Sequence, residues 1–244
     1  MHVEIHTWPS ESLGRDMELR VYGRGGQPVV VFPSQDGRVG DFEGFGMVDA
    51  CAPLLDGGRF QLVAVDGNDW RSWTNHSIPP AERALAHLGY DRYVMDEVMP
   101  FVRALTGRET AWATGCSMGA LHAANFFFRR PDAFDAVIGL SGLYDLRSFV
   151  GDFCDGNVYF HSPLYYLPGL ADPWHLERYR KSAIVFAVGQ GAYEEDCLRD
   201  TRALQAILDA KEVPAWFDYW GPDVNHDWPW WRRMLPYFLE KLGG

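Results

Sequence analysis

Apolar and polar residues alternate along this chain with two distinct periods. Val3–Trp8 and Met17–Tyr22 alternate strictly, the pattern of strands with one covered face, and predict an antiparallel pair at the edge of a sheet. Pro28–Phe32 (PVVVF) is a short continuous apolar run, as expected of a strand buried on both faces. Phe60–Val65, Thr110–Thr114, Phe134–Leu140, Ala183–Val188 and Ala215–Trp220 follow in the same style. Helical spacing fills the intervals. Pro80–Leu105 reads as one or two helices with Met95, Val98, Phe101, Val102 and Leu105 on one face, followed by Ser117–Arg129, Glu195–Ala210 and Asp227–Leu242. Strand and helix in regular succession predict an α/β fold, a mostly parallel sheet with an antiparallel N-terminal edge and helices on both faces. Tyr144–Arg180 breaks the rhythm with Pro, Gly, aromatic and charged residues. It predicts a cap-like excursion, at about 144–180, on the carboxyl edge of the sheet, where open α/β folds bind ligands.

Composition narrows the function classes. With 244 residues, 47% of them hydrophobic, the chain can bury one sizeable core, and no linker or repeat divides it, so a single domain over 1–244 is expected. The formal charge of −11, without a basic block, argues against nucleic acid or an anionic membrane surface as partner. No apolar run reaches the ~18–20 residues of a membrane span, and Met1–Gly14 lacks the basic start and apolar stretch of a signal peptide. A cytoplasmic protein is therefore expected; the oligomeric state is not legible. The four cysteines, Cys51, Cys116, Cys154 and Cys197, stand far apart and are expected to be buried thiols. Without a CxxC, HxH or HExxH spacing, neither a metal nor a cofactor is expected.

Gly115-Cys116-Ser117-Met118-Gly119 carries the strongest chemical signal. An apolar strand enters it and an Ala-rich amphipathic helix leaves it, the setting of a nucleophile elbow. A serine hydroxyl is a weak nucleophile until a base takes its proton, and in this chain order the base follows the last strand. His226, in the loop Trp220–Asp227, is the only histidine beyond Glu195. His122 lies on the helix after Ser117 and reads as packed or solvated, whereas His76, His161 and His175 sit in loops able to border a pocket. The acid is expected after Ala183–Val188, where Glu194, Glu195 and Asp196 offer three carboxylates in a row. Oxyanion donors are expected from the N–H of Met118 and from Gln35 or Ser34 in the loop after the third strand, Pro33 having no N–H. Aromatic residues gather where a pocket would open: Trp70 and Trp73 after the fourth strand, Tyr159, Phe160, Tyr165 and Tyr166 in the excursion, and Trp228, Trp230 and Trp231 beside His226. Of these, Trp70, Trp73 and Trp228 are taken as pocket candidates, favouring an apolar or aromatic small-molecule ester.

These residues resemble the esterase branch of the α/β-hydrolases that holds the esterase D / S-formylglutathione hydrolases, feruloyl-esterase-like enzymes and mycolyltransferases. The resemblance runs from about Met17 to Leu242 and rests on GCSMGA at 115–120, RRPDAFDAVIGLSGLYDL at 129–146, GQGAYEE at 189–195 and NHDWPWWRRMLPYF at 225–238. It implies an α/β-hydrolase fold and a cofactor-independent Ser–Glu–His triad. The mycolyltransferase-like spacing past the G-x-G turn points to Glu195 as the acid. One departure is the absence of a His-Gly pair in the oxyanion loop, where Phe32-Pro33-Ser34-Gln35 stands. The implied activity is cleavage of carboxylic esters through an acyl-enzyme on Ser117. Acyl transfer or thioester cleavage by the same residues, or a non-catalytic binding role on the same fold, are the other readings.

Overall fold

The computed structural model describes residues 1–243. Eight strands form one sheet in the order β1-β2-β4-β3-β5-β6-β7-β8, with β1 (Val3–Ser10) and β2 (Arg15–Tyr22) antiparallel to their neighbours and the rest parallel. The remaining strands are β3 (Gln27–Phe32), β4 (Phe60–Val65), β5 (Ala111–Cys116), β6 (Phe134–Leu140), β7 (Ala183–Val188) and β8 (Trp216–Tyr219). Burial follows the sequence pattern. Every residue of β4 is buried, whereas the edge strand β1 alternates exposed and half-buried positions.

Helices cover both faces. On one side, the segment from Pro80 to Thr106 and helices Met118–Arg129 and Glu195–Ala210 pack Tyr90, Val98, Phe126, Phe127 and Leu204 against Val30, Phe32 and Val137 of the sheet. On the other, helices Met47–Asp56 and Trp228–Leu242 bury Val48, Leu55, Leu235 and Phe238 against Val29, Leu62 and Ile138. Within Pro80–Thr106 the residues Tyr93–Val98 widen into a π-helical turn. Pro100, one turn on, has no N–H and crowds the carbonyl of Asp96, which disfavours an undisturbed α-helical ladder there.

The segment from Tyr144 to Arg180 contains no strand. It forms four short helices, Arg147–Val150, Gly156–Phe160, Pro163–Tyr166 and Pro173–Tyr179. These pack onto the helical layer: the Tyr166 hydroxyl donates to Asn125 Oδ1 at 3.2 Å, and Arg83 Nη1 donates to the Phe149 carbonyl at 2.6 Å. Tyr166, Leu167 and Tyr179 join the main core, and Leu146, Val150 and Val158 close over Trp73, Met118 and Leu121. The excursion thus packs along the helix Met118–Arg129, from Met118 at its start to Asn125. Cys154, in this segment, is exposed, while Cys51, Cys116 and Cys197 are buried as expected. Among the described residues, no helix is long and apolar enough to cross a membrane.

Candidate active site

Ser117 stands between β5 and the helix Met118–Arg129 with φ 57° and ψ −122°, a left-handed-side conformation that costs a non-glycine residue on the order of 1–3 kcal/mol. The strain is imposed by close packing around the turn. A Cβ built on Gly119 would lie 2.4 Å from the Phe32 carbonyl oxygen and 2.6 Å from that of Pro33, so only glycine lets the helix reach the end of β3. From Ala113 to Phe128 every residue is buried except Ser117, which is half-buried. The turn therefore lifts one hydroxyl out of an otherwise enclosed segment.

His226 meets that hydroxyl. Its Nε2 lies 2.9 Å from Ser117 Oγ, and its Nδ1 lies 3.3 Å from Glu194 Oε2. A carboxylate can only accept, so Nδ1 carries the proton, and in the neutral imidazole Nε2 accepts from the serine O–H. The loops that hold these groups are tied together: Gly191 N–H donates to the Val224 carbonyl at 2.8 Å, Ala192 N–H to Asn225 Oδ1 at 2.8 Å and His226 N–H to the Ala192 carbonyl at 3.0 Å. The expected acid, Glu195, is exposed as the first residue of its helix. Glu194 is fully buried and faces the imidazole in its place, while Asp196 is exposed and engages Arg199. The physical reason is the turn before the helix. Tyr193, at φ 66°, aims its own side chain outward, 84% exposed, and the next residue inward.

Behind Glu194 lies a second relay that sequence reading did not anticipate. Ser141 Oγ donates to Glu194 Oε1 at 2.6 Å and accepts from Trp231 Nε1 at 3.0 Å. Trp231 also presents its ring edge-on to His226, with centroids 5.0 Å apart and planes at 88°. One buried carboxylate thus receives two directed hydrogen bonds, and one indole touches both Ser141 and His226. Ser141 belongs to the Leu140-Ser141-Gly142 string already singled out, so a signal for it was present; its role was not.

Met118 begins the helix after Ser117, where the first N–H groups have no intrahelical acceptor. Ser34 is half-buried and Gln35 exposed, in a turn closed by Gly37 N–H on the Ser34 carbonyl at 2.8 Å. Because the carbonyls of Phe32 and Pro33 abut Gly119, this loop starts beside the elbow. The pocket candidates separate. Trp73 is 1% exposed and packs against His87 and into the cluster around Met118, so it is a core residue rather than an open wall. Trp70 is half-buried and flanked by the Arg15 and Arg38 guanidinium groups, 5.2 and 4.6 Å from its ring centre. Trp228 is half-buried, stacks on Phe45 at 4.6 Å and touches Trp231 edge-on at 5.2 Å, forming an aromatic surface continuous with the packing around His226. Phe45, 47% exposed, was not among the expected residues. His122 is packed, with Nε2 3.0 Å from Asp69 Oδ1 in a buried pair, and His161 is buried against Arg129. His76 meets Arg83, and His175 meets Asp172.

Comparison with known proteins identifies the fold and the family. The chain's fold is similar to that of a ferulic acid esterase, at 19% identity and a TM-score of 0.77 over 100% of this chain and 98% of that one. An S-formylglutathione hydrolase (FrmB) from Staphylococcus aureus follows at 14% identity and 0.73, over 100% and 97%. Mycobacterium tuberculosis MPT51 (FbpC1) aligns at 17% identity and 0.73, over 100% and 98%. A search of curated protein sequences returns no match. The family described as "Putative esterase" matches residues 10–242, nearly the whole chain, and the protein belongs to that esterase family on the α/β-hydrolase fold.

Proposed function

We propose that this esterase cleaves small carboxylic esters through an acyl-enzyme on Ser117, with His226 as base and Glu194 as the acid that orients it. The observation that carries the reading is the unbroken line Ser117 Oγ, His226 Nε2 and Nδ1, Glu194 Oε2, at 2.9 and 3.3 Å, on the one half-exposed residue of a buried segment. His226 takes the hydroxyl proton as Ser117 attacks the ester carbonyl. Negative charge on the carbonyl oxygen develops beside the N–H of Met118 and that of Gln35 or Ser34, where each donor is typically worth ~3 kcal/mol of barrier. His226 then protonates the departing alcohol, and water resolves the acyl-enzyme by the same steps in reverse. Glu194 holds the proton-bearing Nδ1 and stabilises the imidazolium as it forms.

The Trp228–Phe45 surface next to the base favours an aromatic or apolar substrate portion. The names of the similar structures, a ferulic acid esterase among them, support that choice. The test is hydrolysis of short aryl esters by the wild type and by Ser117→Ala. A loss of roughly 10³-fold or more in kcat/KM is expected; wild-type turnover in the variant removes Ser117 from the reaction.

A further inference from the structure

Outside this line, one more side chain reaches the imidazole. Cys197, in the first turn of the helix Glu195–Ala210, places its Sγ 3.7 Å from His226 Nδ1, the nitrogen that also faces Glu194 Oε2. Ligand atoms from Glu194, Cys197 and His226 all lie within 4.8 Å of one another. A tetrahedral zinc ion, with bonds of ~2.0–2.1 Å to nitrogen and oxygen and ~2.3 Å to sulfur, holds such atoms roughly 3.3–3.6 Å apart. The N···O separation of 3.3 Å and the N···S separation of 3.7 Å are already close to that spacing. A buried thiol acting only as a small hydrophobe accounts for the 4% exposure of Cys197, but not for its sulfur facing an imidazole nitrogen.

We propose that Glu194, Cys197 and His226 form an inhibitory site for a thiophilic divalent cation such as zinc, which silences Ser117 by occupying His226 Nδ1. Oxygen, sulfur and nitrogen donors in one set suit zinc over magnesium, which takes oxygen ligands in an octahedron. The local charge favours a dication as well. The Glu194 carboxylate faces the same imidazole nitrogen as the Cys197 sulfur, while Asp196 and Asp200 are engaged by Arg199. The Glu194 carboxylate attracts a cation that brings its own positive charge to the thiolate.

The proton balance explains the inhibition. The metal gains bonds to Cys197 Sγ, His226 Nδ1 and Glu194, and the thiol releases its proton to solvent. The proton on Nδ1 is displaced to Nε2, leaving the imidazole neutral. Nε2 then donates and can no longer accept the proton of Ser117. Nothing at Ser117 itself has to move. The spacing explains why no metal motif is legible in the chain: two ligands lie three residues apart at a helix start, and the third follows only 29 positions later.

Binding and inhibition are measured separately, because only the inhibition rests on Ser117 and His226 as the reacting pair. Purified protein titrated with cobalt(II), a spectroscopic substitute for zinc, is expected to develop thiolate-to-cobalt charge-transfer absorption in the near ultraviolet. Cys197→Ala and Cys197→Ser are expected to lack it. Zinc is expected to suppress aryl ester hydrolysis by the wild type, with recovery on chelation and no response to magnesium. Each cysteine variant, read against its own zinc-free turnover, needs about tenfold more zinc, or beyond, for equal fractional suppression. A wild-type cobalt spectrum without the thiolate band overturns the site, even should a variant fail to fold. Equal zinc sensitivity in folded Cys197→Ser overturns it too. Absence of any ester turnover overturns the function proposed above and leaves the cobalt titration to decide the site.

Discussion

A single position separates the two glutamates at the head of the helix Glu195–Ala210, and the difference decides their chemistry. Consecutive residues at a helix start point about 100° apart, so only one of the pair can face the imidazole. Glu194 is fully buried, bonded by Ser141 and facing His226; Glu195 is exposed. Glu194→Gln keeps an oxygen for Nδ1–H but removes the charge that stabilises an imidazolium. It is expected to lower kcat by ~10²–10⁴-fold, while Glu195→Gln leaves kcat/KM for an aryl ester near wild type. Equal effects of the two substitutions would contradict the geometry. The run of acids was legible in the sequence as the place from which a carboxylate would face His226, yet which one turns inward was not. That choice depends on the positive φ of Tyr193 and on how the loop ties to Asn225 and Val224, contacts across more than thirty residues.

Elements divide by what fixes them. The bounds of β4, β6 and β7 were legible to the residue, because short apolar runs between turn residues have one way to be buried. The helix Met47–Asp56 escaped notice. Its apolar positions, Met47, Val48, Cys51, Leu54 and Leu55, do follow helical spacing, but the run is short and contains Pro53. The four helices within 144–180 hold only four to seven residues each, too few to show a period, and they owe their form to contacts such as Tyr166 with Asn125. The elbow is the opposite case, where local glycines announce a tertiary requirement. Gly119→Ala sets a methyl against two backbone carbonyls, which cannot swing aside as a side chain could. A cost of about 1–3 kcal/mol is expected, read as a fall in Tm of roughly 2–4 °C per kcal/mol for a chain of this size, together with lower activity. An unchanged Tm would show that β3 and the helix are not in forced contact.

Across the whole molecule, the helical layer behind Ser117 encloses a histidine trio whose central member, His87, links stability to pH. His87 lies between His122 and His161, ring centres 5.3 and 4.7 Å away, with Nδ1 buried and unpaired among the described side chains. Burial, reinforced by His161, His122 and Arg129, pushes its pKa well below the usual value. Unfolded histidine titrates near ~6.5. Below that pH the unfolded chain binds a proton that folded His87 refuses, so stability declines by up to ~1.4 kcal/mol per pH unit until the folded pKa is reached. Urea midpoints should therefore fall from pH 7.5 to pH 5, and His87→Phe should flatten the decline; an identical slope in the variant would assign it elsewhere. The opposite end of the sheet sets a different bound. β8, from which the loop bearing His226 departs, has only four residues, all half-buried, at the sheet's border. Ser117 and His226 are thus held in unlike surroundings, one within a buried stretch of the chain and the other in a loop at the sheet's margin. Loosening that margin would disarm the enzyme while the rest of the barrel-less, layered body stayed folded, so resistance to inactivation by heat or solvent is to be sought by bracing residues 216–227 and not by refilling an interior that is already closed.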